Sequence, residues 1–270
     1  MDSKELKEIC SEVRRIVVNE IADAKSGHPG GSLSAVEMMV ALYFSKMKID
    51  PKNPKDPDRD RFVLSKGHAA PALYGVLALR GFYPVEEIKT FRKFGSRLQG
   101  HPNSRLTPGV EVCTGSLGQG MSMAVGMALG AKHAGKDINV YTITGDGELQ
   151  EGLIWEAAMA AANYKLDNFT MMIDNNGLQI DGKNDDVMSL GDLHAKMTAF
   201  GFHVLEVADG NDIDQVLKAL DEPTEPGKPR CIIFHTVKGK GVSYMEGDPN
   251  WHGKSPNEEQ RQQALKDLEG

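Results

Sequence analysis

Two glycine-bearing loops, each directly after an apolar, β-prone run, constrain this chain most. INVYTIT (138–144) runs into Gly145-Asp146-Gly147, and NFTMMID (168–174) runs into Asn175-Asn176-Gly177. Between them, GELQEG leads into WEAAMAAANY, a helix-forming stretch. Strand, helix and strand at this spacing make a βαβ unit, which implies parallel strands and a right-handed crossover. HVLEV (203–207), a helix over 211–220 and CIIFHTV (231–237) repeat the pattern. The expected fold is therefore α/β: a doubly wound, mostly parallel sheet with helices on both faces.

The remainder reads as part of one domain over residues 1–270. Residues 3–25 carry Leu6, Ile9, Val13, Ile16, Val17 and Ile21 at helical spacing, with Ser3 as N-cap and Gly27 just past the end. Further helices are predicted over 34–46, 70–80, 84–94 and 119–134, with a short strand over 62–64 and a charged closing helix in NEEQRQQALKDLEG. The Pro- and charge-rich stretch 50–61 and the segment 95–117 read as loops, and PTEPGKP (223–229) as a connector.

Charge and cysteine usage exclude several functions. With 40% hydrophobic and 26% charged residues and a net charge of -7, the chain offers no basic face for nucleic acid. Cys10, Cys113 and Cys231 are odd in number and widely spaced, which suits neither a disulfide framework nor a CxxC metal site, and fits a reducing cytosol. The start MDSKELKEIC lacks the apolar core of a signal peptide, and no apolar run approaches the roughly 20 residues that span a bilayer. The expectation is a cytoplasmic protein with no nucleic-acid or membrane partner.

In an open α/β sheet, ligands bind at the carboxyl ends of the strands. Glycines there let the backbone approach a phosphate, and a helix N-terminus favours an anion. An aspartate in the same place repels a bare phosphate unless a divalent cation lies between them. Asp carboxylate, Asn amide oxygen and backbone carbonyl are hard donors that suit Mg2+. A GDG tripeptide alone is usually a turn. Paired with Asn175-Asn176 at the next strand end, Asn176 lying 31 positions after Gly145, it is far more specific.

Four of the eight histidines bear on function, and a fifth invites comparison with them. His28 (KSGHPGG), His68 (SKGHAAP), His101 (LQGHPN) and His252 (NWHGKSP) each adjoin glycine in a loop. Singly, each reads as a surface or hydrogen-bonding histidine; four in such contexts are hard to assign to core packing. Neutral imidazole both donates and accepts, and its ordinary pKa of about 6.5 suits proton transfer. His235, inside CIIFHTV, reads as structural.

The stretch GDGELQEGLIWEAAMAAANYKLDNFTMMIDNNGLQIDG resembles the thiamine-diphosphate signature, and that of transketolases in particular. VEVCTGSLGQG (110–120) and KGKG (238–241) followed by WHG extend the resemblance, which runs from about residue 10 to 260. It implies that Asp146, the side-chain oxygen of Asn176 and the backbone carbonyl of Leu178 bind Mg2+. Gly147 would contact the diphosphate of thiamine diphosphate, with Lys238 near it. Gly115, Leu117 and Ile180 would touch the cofactor. His28, His68 and His101 would line the substrate channel, His68 also reaching the diphosphate, and His252 would bridge diphosphate and substrate. Glu151 and Glu156 follow GDG at the start of a helix, where the dipole alone favours carboxylates. They match family glutamates that join two active sites across a dimer interface.

The same resemblance implies a missing part. Family members drive loss of the thiamine C2 proton with a glutamate on a pyrimidine-binding domain, and this sequence stops before one. The expected partner is a separate C-terminal transketolase subunit carrying that domain, in an α2β2 heterotetramer docked partly through GQGMSMAVGMALG. The implied reaction moves a two-carbon ketol unit between sugar phosphates. Rival readings are a chain resembling deoxyxylulose-phosphate synthase, the α chain of a 2-oxo-acid dehydrogenase, which has GDG…NN but not this histidine set, and a non-catalytic regulatory homologue.

Overall fold

A computed structural model describes residues 1–269. Helix α1 (Ser3–Ala24) is followed by two short helices, α2 (Pro29–Leu33) and α3 (Val36–Ala41). Strand β1 (Arg61–Leu64) leads to α4 (Ala70–Arg80), then α5 (Gln119–His133), β2 (Val140–Gly145), α6 (Gly152–Asn163) and β3 (Phe169–Asn175). A small hairpin, β4 (Leu178–Gln179) and β5 (Gly182–Lys183), precedes α7 (Asn184–Met188) and α8 (Leu193–Ala199). Strand β6 (His203–Val207), α9 (Ile213–Asp221), β7 (Arg230–His235) and α10 (Glu258–Asp267) complete the order.

Five strands form one parallel sheet in the order β1-β2-β3-β7-β6. Its side chains alternate between two cores. Phe62, Leu64, Ile143, Met172, Ile232 and Phe234 pack against α1, α3, α4 and α9. Val63, Val140, Met171, Ile173, Cys231 and Ile233 face the other way, against α5, α6 and α8. A sheet buried on both faces reads as continuous apolar strands, which is why the runs at 138–144 and 168–174 lack polar alternation. In register, Gly145 lies opposite Asp174. The GDG and NNG loops therefore leave the same sheet edge side by side.

Three local expectations change. Asp2 caps α1 rather than Ser3: its carboxylate accepts from the Glu5 amide at 2.8 Å, and that of Glu5 accepts from the Asp2 amide at 2.9 Å. The helix expected over 84–94 is only a 3-10 turn, Val85–Thr90, because Arg92 adopts a left-handed backbone (φ 56°) and reverses the chain. The helix expected over 34–46 stops at Ala41 and runs out in a π turn, Leu42–Lys46, while α2 forms a separate unit with Pro29 in its first turn.

Candidate functional site

The carboxyl edge of the sheet carries a cleft of about 400 Å3. Four loops from separate parts of the chain meet there, each bringing a histidine. His28 precedes α2, His68 sits in the 3-10 turn after β1, His101 lies in the long loop before α5, and His252 follows a 3-10 turn near the end. The ring of His28 lies 5.4 Å from His68, 5.5 Å from His252 and 6.2 Å from His101, and His68 lies 5.0 Å from His252. Gly115 lets the backbone pass close to this group: its φ of 139° suits glycine, and a Cβ there would stand 2.8 Å from His101. His235, by contrast, ends β7 outside this cleft, held between Glu206 (3.1 Å) and Asn175 (3.3 Å).

Among the described residues, no carboxylate hydrogen-bonds these four rings, and cations lie near them. Burial and then Arg92 lower the pKa of His28 to about 4, and the same two causes lower that of His101. Burial and then Lys238 lower His252 to about 3. Burial and then Lys66 hold His68 well below the usual imidazole range. All four are neutral near pH 7, each able to donate from one nitrogen and accept at the other. His28 Nδ1 is buried without a partner among the described residues.

The opposite wall is the paired loops. Asp146 is buried; its Oδ1 accepts from the Gly147 amide at 2.8 Å and its Oδ2 from the Gly177 amide. Burial, followed by the charge of Asp174, raises its carboxyl to about 6. Asn176 Oδ1 accepts from the Leu178 amide at 3.1 Å. The ammonium of buried Lys238 donates to the Leu178 carbonyl and lies next to His252 Nδ1, each at 3.1 Å. Burial and then Lys66 lower Lys238 to about 8. Among the described residues, no group of three His, Cys, Asp or Glu side chains is placed to hold a metal. A cation in this wall would depend on one carboxylate plus amide and carbonyl oxygens, a donor set fitted to a hard ion such as Mg2+.

The cleft thus takes in the histidines, Asp146, Gly147, Asn176, Leu178, Ile180, Gly115, Leu117 and Lys238. Glu151 and Glu156 lie outside it, exposed on α6. Glu151 is the N-cap of α6 yet makes no side-chain capping bond.

Several supporting residues are not evident from sequence motifs. Lys66 and Asp174 form a buried ion pair; Lys66 also donates to the Gly31 carbonyl at 2.6 Å, and Ser34 and Thr236 donate to Asp174. Glu148 accepts from the amides of Gly118 (2.8 Å) and Gly145 (3.0 Å) and from Ser65, tying three site loops together. Arg14 and Glu37 pair at 2.7 Å beneath the KGKG loop, where Arg14 donates to the Lys240 carbonyl. A sequence signal for Lys66 exists: it closely follows β1, at the sheet edge where Asp174 lies near the end of β3.

Comparison with known proteins identifies the family of the chain. Residues 5–269 match the family model described as "Transketolase, thiamine diphosphate binding domain". The chain is 44% identical to the 6-deoxy-6-sulfo-D-fructose transketolase subunit of Clostridium sp. (strain MSTE9), over 98% of this chain and 96% of that protein. It is 46% identical to an apulose-4-phosphate transketolase subunit from Phocaeicola vulgatus, over 94% of this chain and 90% of that one. The solved transketolase from Campylobacter jejuni superposes with a TM-score of 0.94 at 36% identity, covering 100% of this chain. The chain spans only 43% of that larger one.

Proposed function

The chain belongs to the transketolase family, as its thiamine-diphosphate-binding domain, and on that premise we propose that it is the diphosphate-binding half of a two-chain transketolase. The observation that carries this reading is the meeting of four neutral histidines with the Asp146–Asn176 wall in one cleft. The chain works as one domain over residues 1–270. Its partner is a C-terminal subunit with the pyrimidine-binding domain, in an α2β2 heterotetramer. Together they transfer a two-carbon ketol unit from a ketose phosphate to an aldose phosphate, in the cytoplasm. The alignment along most of two proteins themselves named subunits supports the split.

Thiamine diphosphate, when bound, supplies the electron sink that lets a carbon–carbon bond next to a carbonyl break and form. This chain's part is to bind, orient and move protons. Asp146, Asn176 Oδ1 and the Leu178 carbonyl hold Mg2+, and Gly147, Lys238 and His68 hold the diphosphate. Gly115, Leu117 and Ile180 meet the cofactor's rings. His28 and His101 take hydrogen bonds from sugar hydroxyls and relay their protons, and His252 stands between diphosphate and substrate. Their neutrality matters, because an imidazolium cannot accept a proton. Glu151 and Glu156 face the partner and couple the two active sites.

The test is reconstitution. The isolated chain, given Mg2+ and thiamine diphosphate, should show no turnover of xylulose 5-phosphate with ribose 5-phosphate. Adding the partner subunit should restore activity and cofactor affinity together. Turnover by the chain alone would sink the two-chain reading. Activity of the pair on pyruvate plus glyceraldehyde 3-phosphate, without ketol transfer, would instead place it with the deoxyxylulose-phosphate synthases.

A further inference from the structure

Beside the Asp146 wall stands a buried amide with nothing to bond. Asn184 is 5% exposed, and neither its Oδ1 nor its Nδ2 has a hydrogen-bond partner among the described residues. Buried side-chain amides are nearly always partnered, so an orphan demands an explanation. Its surroundings supply one. Asn184 opens α7 at the foot of the β4–β5 hairpin, and its backbone amide donates to the Gly177 carbonyl at 2.9 Å. That bond anchors it to the loop bearing Asn176 and Leu178. Its Oδ1 lies at ordinary contact distance from Gly147, 3.6 Å from where a Cβ there would stand. Gly147 and Gly177, the two residues beside it, are the ones whose backbone amides bond the Asp146 carboxylate. Each Asp146 oxygen takes a single backbone donor, and a carboxylate has about four acceptor sites in all.

We propose that Asn184 is a positioning residue for Asp146: its unpartnered amide, set beside Gly147 and Gly177, whose own amides bond the Asp146 carboxylate, donates to that carboxylate once a divalent cation is bound and orients it. Ligating carboxylates are themselves usually hydrogen-bonded from an outer layer, and loss of such a partner typically weakens metal affinity about 10–100-fold. A purely architectural role needs only the backbone bond to Gly177, which alanine keeps.

This inference rests on the reading that Asp146 is a metal ligand. The experiment is calorimetric titration of thiamine diphosphate into the assembled two-subunit protein over a series of Mg2+ concentrations. Asn184→Ala should raise the Mg2+ needed for half-saturation by about 10–100-fold, with an unchanged melting temperature before ligand is added. Asn184→Leu keeps the volume but cannot donate, and should lose affinity likewise; undiminished affinity in it would overturn the donor role. Asp146→Ala separates the two claims. If it binds like the natural protein, the metal reading itself fails. If it loses binding while both Asn184 variants bind normally, only the assignment of Asn184 fails.

Discussion

Two buried polar groups flank the same cleft and are built on opposite rules. At the Lys66–Asp174 node every charge is answered: ammonium against carboxylate, with Ser34, Thr236 and the Gly31 carbonyl filling further positions. Burial alone would raise the Asp174 carboxyl, yet Lys66, Ser34 and Thr236 hold it below the usual range. In the neighbouring histidine cluster little is answered. The four rings face one another and nearby cations, and His28 Nδ1 has no partner among the described residues. A satisfied buried pair rigidifies and is costly to break. Unsatisfied imidazoles at a cleft contribute little to the fold and keep their bonding capacity for a ligand. The node is scaffold, and the cluster is working surface.

That contrast is most exposed to attack at the node. Asp174→Ala strands the Lys66 ammonium in a dry site and should cost about 3–5 kcal/mol of unfolding free energy, measured by urea denaturation. The double change Lys66→Met, Asp174→Leu should recover most of that loss, because the cost lies in the stranded charge. A loss below about 1 kcal/mol in the single variant, the size of an ordinary substitution, would remove the distinction between node and cluster.

The histidines should behave in reverse. His28→Ala and His101→Ala should lower turnover by the assembled enzyme about 10²–10⁴-fold, with stability changed little. A variant with normal kcat and KM would return that histidine to a surface role.

A smaller effect sharpens the electrostatics. The pKa of His28 falls on folding to about 4, so between pH 4 and about 6.5 the unfolded chain holds more protons than the native one. Stability should therefore fall as pH drops through that window and level off above it. His28→Ala should flatten the slope in melting curves taken at stepped pH.

The smallest effect belongs to α6. Glu156 is exposed, so Glu156→Gln should shift stability by no more than about 0.5 kcal/mol. It should slow activation or weaken assembly with the partner, read by stopped-flow activation and sedimentation. Unaltered kinetics and assembly would leave Glu156 an exposed carboxylate of α6 beyond the reach of the helix dipole, with no role in assembly.

Much of the site was legible because its signals are local. A strand end, a glycine and an aspartate or histidine lie within a few residues of each other at 64–68, 144–147 and 173–177, and the sheet register then does the assembling. Most strands were legible for the same reason: β1, β2, β3 and β7 are largely buried, mostly apolar runs between polar loops. The chain direction after Thr90 was not, because FRKF (91–94) continues a helical pattern. It turns at Arg92, where φ is 56° and the guanidinium reaches Ser26 at 2.7 Å.

By itself, then, the sequence determined the βαβ units, the two loops at their carboxyl ends and the four glycine-flanked histidines. Only the tertiary structure decided which charges neutralise which. Lys66 and Asp174 are 108 residues apart, Glu148 and Gly118 are 30 apart, and Arg14 and Glu37 are 23 apart. Such pairings leave no periodic trace, since they depend on which loops the packed sheet brings together. They are nonetheless forced once it forms, because a charge or amide withdrawn from water must be met by another group or bear the full desolvation cost.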